Sequence, residues 1–491
     1  MPRTAAIIGG GVIGGGWAAR FLLNGWNVRI FDPRPDAKGE LSPVLTQARC
    51  ALSSLTDVAL PNEGVLSFHT DLEEVVSGVD WIQESVPERL EIKHSVLLSI
   101  QAVCPEHAII GSSTSGFKPS ELQEGALRPS QIMVCHPFNP VYLLPLVELV
   151  PSPETDPEFV AAAKDILREM GMYPLHVRKE IDAHIADRFL EAVWREALWL
   201  VKDGVATTEE IDEAIRMGFG MRWGQMGLFD TYRTAGGEAG MRHFIAQFGP
   251  ALKWPWTKLM DVPELTDDLV NLISDQSDAQ SGHMTISQML MARDSNLVSM
   301  MRALKANNWG AGAILNAHEA TLRIGSVLGA QLDDLKDLSN PILTVRRTVP
   351  LDWTDYNGHM NEARYLQAFG DATDRLMAMI GCDADYIATG GSYFTAETHI
   401  RHMDEVNAGQ LIEVKTQILL GEGKKMHLWH EMYSDSRLLA TGEHFLLHVS
   451  LKTRRPCDPS QEILKALNEI SNAHALLPIP DAAGRAVGQR P

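Results

Sequence analysis

A histidine and a glutamate stand 12 residues apart in a stretch that is otherwise apolar. His136 ends the strand-like run Ile132–His136, and Glu148 lies inside the next one, Leu146–Val150. A carboxylate inside an apolar strand is costly to bury unless it is paired. Histidine titrates near neutral pH, and the oxidation of an alcohol needs a base that takes the hydroxyl proton as hydride leaves carbon. The spacing therefore predicts an imidazole base oriented by a carboxylate, with a satisfied structural histidine as the favoured alternative on spacing alone.

A glycine-rich turn near the amino terminus has the spacing of a dinucleotide site. The residues predicted to contact the cofactor are Gly9, Gly11, Val12, Ile13, Gly14 and Asp32. In a Gly-x-Gly-x-x-Gly turn the glycines permit a sharp bend, a close approach to pyrophosphate and close packing of helix on strand. An aspartate after the second strand accepts hydrogen bonds from ribose hydroxyls and repels a 2′-phosphate. The pattern therefore predicts NAD. Arg34 leaves NADP open, and a glycine-rich turn beside a surface aspartate is the alternative.

These residues require elements that bring them to one edge of a sheet. Up to residue 179 the chain alternates short β-branched runs with amphipathic stretches, which is typical of βαβ units and a mainly parallel sheet. The predicted strands are Ala5–Ile8, Val28–Phe31, Trp81–Glu84, Ala108–Ser112, Ile132–His136 and Leu146–Val150. Residues 1–179 are therefore predicted to form an α/β Rossmann domain that binds NAD.

The rest of the chain changes character four times. Residues 180–329 are predicted to be all helical, with helices at Ile185–Val201, Glu209–Met217, Gly237–Gln247, Pro263–Gln280 and Thr285–Ala306. Residues 330–341 are polar, acidic and closed by Asn-Pro, which predicts a linker. Residues 342–455 show one helix and then alternating strands, an α+β pattern. Residues 456–491 predict a short helix and a mobile tail.

Composition excludes several classes of protein. The chain has 491 residues, 45% hydrophobic and 22% charged, as in ordinary globular proteins of about three domains. The net charge of −20 argues against a nucleic-acid partner. No apolar run is long enough to span a membrane, and no signal-peptide pattern is present. Five scattered cysteines predict reduced thiols in the cytoplasm. No metal is predicted, because the histidines of the third segment lie three apart in strands and so point to opposite faces.

The segment around the histidine resembles the signature of the 3-hydroxyacyl-CoA dehydrogenase superfamily, His-Phe-x-Asn-Pro followed by a Val-Glu strand. This chain has His-Pro-Phe-Asn-Pro at 136–140 and Val-Glu at 147–148. The resemblance implies that His136 and Glu148 are catalytic and that Ser115 binds the substrate oxygen. The superfamily motif Phe-Ile-x-Asn-Arg is here His-Ile-Ala-Asp-Arg at 184–188, so Asp187 replaces an asparagine that hydrogen-bonds the substrate.

Residues 1–325 are more closely similar to the L-carnitine 3-dehydrogenases, a group that oxidises the 3-hydroxyl of carnitine with NAD. The similar blocks are Glu84–Arg89, His184–Leu190, Trp194–Leu198 and Gly220–Glu238. Carnitine carries a quaternary ammonium that cannot donate a hydrogen bond, so its recognition requires aromatic faces and carboxylates. The predicted substrate residues are Phe138, Asp187, Trp223, Phe229, Tyr232 and Glu238. For any single aromatic residue, packing in a core is the alternative.

A second motif precedes the predicted helix Met360–Ile380. Asp355, Gly358, His359 and Asn361 match the Asp-x-x-Gly-His-x-Asn pattern of hotdog-fold thioesterases of the 4-hydroxybenzoyl-CoA type, which residues 342–455 resemble. Free N–H groups near Gly358 and His359 at the helix start would polarise a thioester carbonyl. Asp355 would act as base or nucleophile, and Glu397 is a second acidic candidate. Resemblance to dehydrogenases fused to such a domain implies betainyl-CoA as its acyl-CoA substrate. The alternative is a capped helix in a domain that only dimerises.

Three functions follow from these patterns. The first is a bifunctional enzyme that oxidises L-carnitine to 3-dehydrocarnitine with NAD and hydrolyses an acyl-CoA in carnitine degradation. The second keeps the NAD-dependent dehydrogenase but changes its substrate to a 3-hydroxyacyl-CoA or L-gulonate, with a non-catalytic hotdog domain. The third, a non-catalytic NAD-binding protein, has no use for a buried acid and base. Hotdog domains pair through their sheets and the helical domains of this superfamily dimerise, so a homodimer is expected.

Overall fold

In a computed structural model of the chain, the described residues are 3–34, 36–236, 238, 240–250, 255, 257, 258, 264–324, 331–335 and 337–487. They form two units, one from Met1–Ala48 and Asn62–Asn316 and the other from Arg49–Pro61 and Ala317–Pro491. The predicted helix starts at Gly237 and Pro263, part of the 330–341 linker and the end of the 456–491 tail lie outside the described residues. Within these ranges, no helix is long and apolar enough to cross a membrane.

The first unit is built on an eight-stranded sheet. Its strands are β1 (Thr4–Ile8), β2 (Asn27–Phe31), β3 (Leu66–His69), β4 (Trp81–Glu84), β5 (Ile109–Ser112), β6 (Ile132–Pro137), β7 (Leu146–Val150) and β8 (Tyr173–His176). Their order is β3-β2-β1-β4-β5-β6-β7-β8, and neighbours run parallel except β6 and β7. The mainly parallel Rossmann sheet is therefore confirmed. The short strands β3 and β8 were not predicted, because each has only four residues and lacks a fully buried apolar run.

Helices connect these strands and fill the region after them. The connecting helices are α1 (Val12–Leu23), α2 (Ala37–Ser53), α3 (Leu72–Val76), α4 (Leu90–Val103), α5 (Pro119–Leu122) and α6 (Pro157–Glu169). After β8 come α7 (Ala186–Lys202), α8 (Thr208–Ala214), α9 (Gly220–Ala235), α10 (Gly240–Phe248), α11 (Asp267–Ser281), α12 (Ile286–Lys305) and α13 (Ala311–Ile324). The all-helical character predicted for this region is confirmed.

Two helices of this region, α9 and α13, were missed. The glycines of α9 argue against a helix on propensity, and Gly227 does interrupt it with a φ of +71°. The helix forms nevertheless, since tertiary contacts override propensity; Tyr232 of α9, for example, stacks on Phe244 of α10 with ring centroids 4.6 Å apart. The predicted starts of α8 and α12 agree more closely with the structure. Thr207 and Thr285 cap these two helices with reciprocal side-chain hydrogen bonds.

The second unit carries a five-stranded antiparallel sheet. Its elements are β9 (Ile342–Thr348), α14 (Glu362–Met379), α15 (Ala384–Ala388), β10 (Gly391–His402), β11 (Leu411–Glu422), β12 (Lys425–Ser434), β13 (Arg437–Ser450) and α16 (Gln461–His474). The strand order is β10-β13-β12-β11-β9. Helix α14 packs so closely on the sheet that a Cβ at Gly442 would lie 2.7 Å from the ring of Phe369. One long helix against an antiparallel sheet is the predicted hotdog arrangement, and it is confirmed.

Candidate active site

The glycine turn between β1 and α1 has the geometry of a phosphate cradle. Gly9 has a φ of +100°, and a Cβ at Gly14 would lie 1.8 Å from the carbonyl oxygen of Gly9, so both positions require glycine. A Cβ at Gly11 would meet nothing within 4 Å, which leaves the amino end of α1 open to a ligand. The first N–H groups of this helix, from Val12 onward, have no partner within the helix and attract phosphate. The turn therefore fits the pyrophosphate of NAD.

Asp32 closes the cofactor site at the end of β2. Its Oδ2 accepts a hydrogen bond from the N–H of Gly10 at 2.8 Å, and both carboxylate oxygens accept from Arg34. Burial alone would raise the pKa of Asp32, but the hydrogen bonds from Arg34 and Gly10 lower it below its usual value. The carboxylate is thus charged at neutral pH, as a ribose-binding group that repels a 2′-phosphate must be. Arg34 is half exposed and turned to this carboxylate.

His136 and Glu148 form the predicted pair. They lie opposite each other in the β6–β7 register, and Nδ1 of His136 is 3.0 Å from Oε2 of Glu148. Both side chains are buried. Burial would raise the pKa of Glu148, yet the hydrogen bond from His136 and two backbone N–H groups lower it. Because the charged carboxylate accepts the Nδ1 proton, Nε2 of His136 carries the free lone pair of a base.

The second oxygen of Glu148 fixes the start of α7. Oε1 accepts hydrogen bonds from the N–H groups of Ile185 and Ala186 at 2.8 and 2.9 Å. The chain reaches this position through a left-handed turn, in which Ala183 and His184 have φ values of 57° and 50°. A carboxylate at a helix amino end is also favoured by the helix dipole. Glu148 therefore links β7 of the sheet to the start of α7, next to His136.

Asp187 and Phe138 surround the imidazole. Oδ2 of Asp187 lies 3.6 Å from Nε2 of His136, and the ring of Phe138 meets His136 edge-on with centroids 5.0 Å apart. Burial raises the pKa of Asp187. The structure thus brings two of the six predicted substrate residues to His136.

Ser115 lies in the loop after β5, beside the strand that carries His136. Its side chain is exposed, and its backbone N–H donates to Oε1 of Glu88 at 3.2 Å. The same carboxylate oxygen accepts from the Thr114 hydroxyl and from the N–H of Gly116. Since β5 and β6 run parallel, this loop and the end of β6 meet at one edge of the sheet. Ser115 is therefore positioned at the same edge as the base.

The other four predicted substrate residues lie in or just after α9. Trp223 is half-buried, with its ring 4.6 Å from that of Phe219, and Tyr232 stacks on α10. Phe229 is 70% exposed, and Glu238 is also exposed. Over the described ranges, no hydrogen bond, ion pair or ring contact links these four residues to His136. Their role in substrate binding stays a prediction.

The thioesterase motif forms a turn before α14. Oδ1 of Asp355 accepts from the N–H of Asn357 at 2.8 Å, and Asn361 caps α14 through the N–H of Ala363. The expectation of a free N–H at Gly358 is wrong: the helix begins only at Glu362, and this N–H donates to the carbonyl of Asp355 at 3.0 Å. The physical reason is local, since a φ of +81° at Gly358 closes the turn on itself.

Two further residues, His359 and Glu397, were predicted to belong to the thioesterase site. Nδ1 of His359 is 3.3 Å from a carboxylate oxygen of Glu405. Glu397 is exposed on β10, which forms one edge of the sheet. In the described part of this unit, no hydrogen bond or ion pair joins Glu397 to Asp355, so their cooperation stays a prediction.

Sequence reasoning missed a buried acid at the end of β4. Glu84 is fully buried and accepts from Nζ of Lys93 at 3.0 Å, while Lys93 also reaches Glu88, the acid that holds the Ser115 loop. The signal was present, because Glu84 lies in a fully buried strand, where a carboxylate needs a partner as Glu148 does in β7. The buried His184, whose ring centroid is 5.6 Å from that of His136, was the other omission.

A phosphate cradle, a charged ribose acid and an imidazole–carboxylate pair at one edge of a Rossmann sheet define an NAD-dependent dehydrogenase domain. Residues 4–181 match the family of the 3-hydroxyacyl-CoA dehydrogenase NAD-binding domain, and residues 184–267 match its C-terminal domain. Residues 349–467 match the thioesterase-like superfamily. The cofactor of this domain is NAD.

Relatives define the family more narrowly. The chain is 69% identical over 484 residues to the L-carnitine dehydrogenase/betainyl-CoA thioesterase of Ruegeria pomeroyi, covering 99% of both chains. It is 56% identical over 317 residues to the L-carnitine dehydrogenase of Mesorhizobium japonicum, covering 64% of this chain and 87% of that one. The chain belongs to the L-carnitine dehydrogenase/betainyl-CoA thioesterase family.

One solved structure supports the arrangement of the first part of the chain. A crystal structure of 5-formyl-3-hydroxy-2-methylpyridine 4-carboxylic acid 5-dehydrogenase, described as an NAD+-dependent dismutase, aligns with a TM-score of 0.53 at 28% identity. The alignment covers 62% of this chain and 99% of that one. The dehydrogenase fold is therefore found on its own in other proteins.

Proposed function

We propose that this protein is a bifunctional enzyme that oxidises L-carnitine to 3-dehydrocarnitine with NAD and hydrolyses betainyl-CoA to betaine and CoA. The relative at 69% identity over 99% of both chains carries the names of both activities. The observation that carries the first activity is the buried His136–Glu148 pair beside Asp187. The observation that supports the second is the Asp355 turn at the start of the long helix of the hotdog unit.

In the dehydrogenase, His136 is the general base. Nε2 takes the proton of the substrate hydroxyl, and Glu148 stabilises the imidazolium that forms. The glycine turn and Asp32 would hold NAD, whose nicotinamide would supply the acceptor for the hydride that leaves the carbinol carbon. The hydroxyl of Ser115 would hold the reacting oxygen from the same edge of the sheet. These groups belong to strands of the sheet or to the loops that follow them, which supports a rigid geometry.

Asp187 is proposed as the counter-charge of the trimethylammonium group. A quaternary ammonium is recognised by aromatic faces and carboxylates, since it has no hydrogen to donate. Asp187 and Phe138 provide one of each within reach of the base. Trp223, Phe229, Tyr232 and Glu238 are proposed as further contacts. The proposal for these four is contradicted if none of their alanine variants raises the KM for L-carnitine.

In the thioesterase, Asp355 is proposed as the catalytic carboxylate. It would activate water or attack the thioester carbonyl, and hydrolysis returns the acid and the CoA thiol. Glu397, His359 and Asn361 are proposed to complete the site. A CoA thioester with a cationic acyl group is the proposed substrate, in keeping with the relative's name.

A homodimer is proposed for the helical part of the dehydrogenase. Helix α7 exposes Phe189, Leu190 and Trp194 by 55%, 56% and 59%. An apolar face of this kind marks an interface. Sedimentation of the full chain should give twice the mass of one chain, and a monomer at micromolar concentration would contradict the proposal.

We propose the cytoplasm as the location, where the five unpaired cysteines stay reduced.

One experiment tests both activities. The purified full chain is given NAD with L-carnitine, with 3-hydroxybutyryl-CoA or with L-gulonate, and NADH is followed by absorbance. L-Carnitine should be oxidised far faster than the other two, and His136→Ala should lower turnover roughly 10²- to 10⁴-fold while NAD still binds. Betainyl-CoA hydrolysis is followed through the released thiol and should survive His136→Ala. Faster oxidation of 3-hydroxybutyryl-CoA than of L-carnitine would contradict the proposed substrate.

A further inference from the structure

His184 is a buried imidazole next to His136, and it has no part in the proton transfer proposed for His136. Its side chain is inaccessible to solvent, and its ring centroid lies 5.6 Å from that of His136. Nε2 lies 3.2 Å from the carbonyl oxygen of Thr114. A carbonyl only accepts hydrogen bonds, so Nε2 carries the proton. Nδ1 has no hydrogen-bond partner in the described part of the chain.

The charge state of His184 follows from its surroundings. Burial lowers the pKa of His184, and a positive charge on His136 lowers it further, while the hydrogen bond to Thr114 and the charges of Glu148 and Asp187 act in the opposite direction. The imidazole is therefore neutral at neutral pH. It is a hydrogen-bond donor through Nε2 and an acceptor through Nδ1.

His184 connects two parts of the dehydrogenase site. On one side, its own backbone turn delivers the N–H groups that hold Glu148. On the other side, Nε2 holds the carbonyl of Thr114, and the neighbouring Ala183 donates its N–H to the carbonyl of Gly116 at 3.2 Å. Ser115 lies between these two anchored residues. The loop of Ser115 is thus held by Glu88 from one side and by the 183–184 turn from the other.

We propose that His184 is a positioning residue that acts through the Ser115 loop, and that its Nε2 hydrogen bond sets the distance between the Ser115 hydroxyl and His136. The proposal rests on the dehydrogenase function proposed above. The proposal assigns the effect to the hydrogen bond of His184 and not to the volume of its ring. Two variants can separate the hydrogen bond from the ring volume. His184→Phe keeps a ring of similar size without a donor, whereas His184→Gln keeps an amide N–H near the position of Nε2.

The test compares these variants in L-carnitine oxidation by the full chain. His184→Phe should lower kcat/KM about tenfold, the size expected for one neutral hydrogen bond, and His184→Gln should stay within about threefold of the wild type. The Kd for NAD should not change. Equal activity of the Phe variant and the wild type, or equal loss in both variants, would overturn the proposal. So would a loss of NAD binding, which would place His184 in the general fold.

A double-mutant cycle with Ser115→Ala tests the route of the effect. If His184 acts through Ser115, the double variant Ser115→Ala/His184→Phe should lose no more than Ser115→Ala alone. Multiplied losses would show that His184 acts elsewhere and would overturn the inference. Failure of the wild type to oxidise L-carnitine would remove the proposed function itself, whereas an active wild type with an unaffected His184→Phe removes only this inference.

Discussion

Glu148 faces His136 directly across the antiparallel pairing of β7 with β6, and the pair shares a hydrogen bond of 3.0 Å. The two strands are the only antiparallel neighbours among the described strands of this sheet. In an antiparallel pair, opposed residues present their side chains on the same face. A separation of 12 residues in the chain thereby becomes a contact between an acid and a base.

Replacing Glu148 by glutamine should disable the base without disturbing the fold. The amide oxygen would accept the N–H groups of Ile185 and Ala186, so the amide NH₂ would face Nδ1 of His136. Nδ1 must then accept, and Nε2 carries the proton that it should take from the substrate. We expect kcat for L-carnitine to fall roughly 100-fold or more, with NAD binding retained. Glu124→Gln, an exposed acid, is the control, and a loss of less than threefold in Glu148→Gln would contradict the assignment.

Asp32 and Arg34 should decide the choice between NAD and NADP. Replacing Asp32 by serine removes the repulsion of a 2′-phosphate and releases Arg34, which now donates to both oxygens of Asp32. The ratio of kcat/KM for NADP over NAD should rise roughly tenfold or more, as for one charged hydrogen bond. Adding Arg34→Ala should cancel the gain. An unchanged ratio in Asp32→Ser would mean that the ribose lies elsewhere.

Asp187 should distinguish cationic from neutral substrates. Asp187→Asn removes a charge 3.6 Å from Nε2 of His136 and nearly preserves the shape of the side chain. The KM for L-carnitine should rise about tenfold, between the effects of losing an exposed and a buried charge pair, while the low rate with 3-hydroxybutyryl-CoA should not fall. Glu213→Gln, an exposed acid on α8, should change neither. Parallel losses with both substrates would argue that Asp187 acts only on the base.

Asp355 should be required for thioester hydrolysis alone. Asp355→Asn keeps an oxygen for the N–H of Asn357 but removes the base or nucleophile. Betainyl-CoA hydrolysis should fall by about 100-fold or more, and L-carnitine oxidation should be unchanged. Asp385→Asn on α15 serves as the matched control. Full thiol release by Asp355→Asn would show that the domain uses another residue or only dimerises.

Two buried histidines should make the hotdog unit sensitive to acid. Thr373 Oγ1 lies 3.1 Å from Nε2 of His430 and 3.2 Å from Nδ1 of His444, between α14 and the sheet. Burial lowers the pKa of His444 to about 4 and that of His430 well below its usual value. The unfolded chain therefore binds more protons than the folded unit below about pH 6.5, and stability present above that pH is lost as the pH falls toward 4.

The expected slope is about 1.4 kcal/mol of unfolding free energy per pH unit for each histidine. This slope is measured by unfolding the full chain in urea at several pH values between 7.5 and 5. The loss of thioester hydrolysis reports the unfolding of the hotdog unit. His444→Asn should reduce the slope by one proton, whereas the exposed His107→Gln should leave it unchanged. Stability that rises as the pH falls in this window would contradict the neutral, buried state of both rings.

Local patterns in the chain determined the cofactor site and the main strands of the Rossmann sheet. Gly9, Gly14 and Asp32 are recognisable because a tight turn, a close contact and a strand end are each encoded within a few residues. The same holds for the motif from Asp355 to Asn361, whose turn and helix cap are local. The free N–H expected at Gly358 was wrong, because the positive φ of Gly358 lets this N–H donate to the carbonyl of Asp355 within the same turn.

Only the tertiary structure decided which of the candidate side chains meet. The register of β6 against β7, the left-handed turn at Ala183 and His184 and the approach of Asp187 to His136 depend on contacts between distant parts of the chain. A short segment of the sequence cannot show these contacts, because each joins residues that are far apart in the chain. For that reason the sequence could nominate His136 and Glu148 as a pair and Asp187 separately, while only the tertiary structure places Glu148 at Nδ1 and Asp187 near Nε2 of the same imidazole.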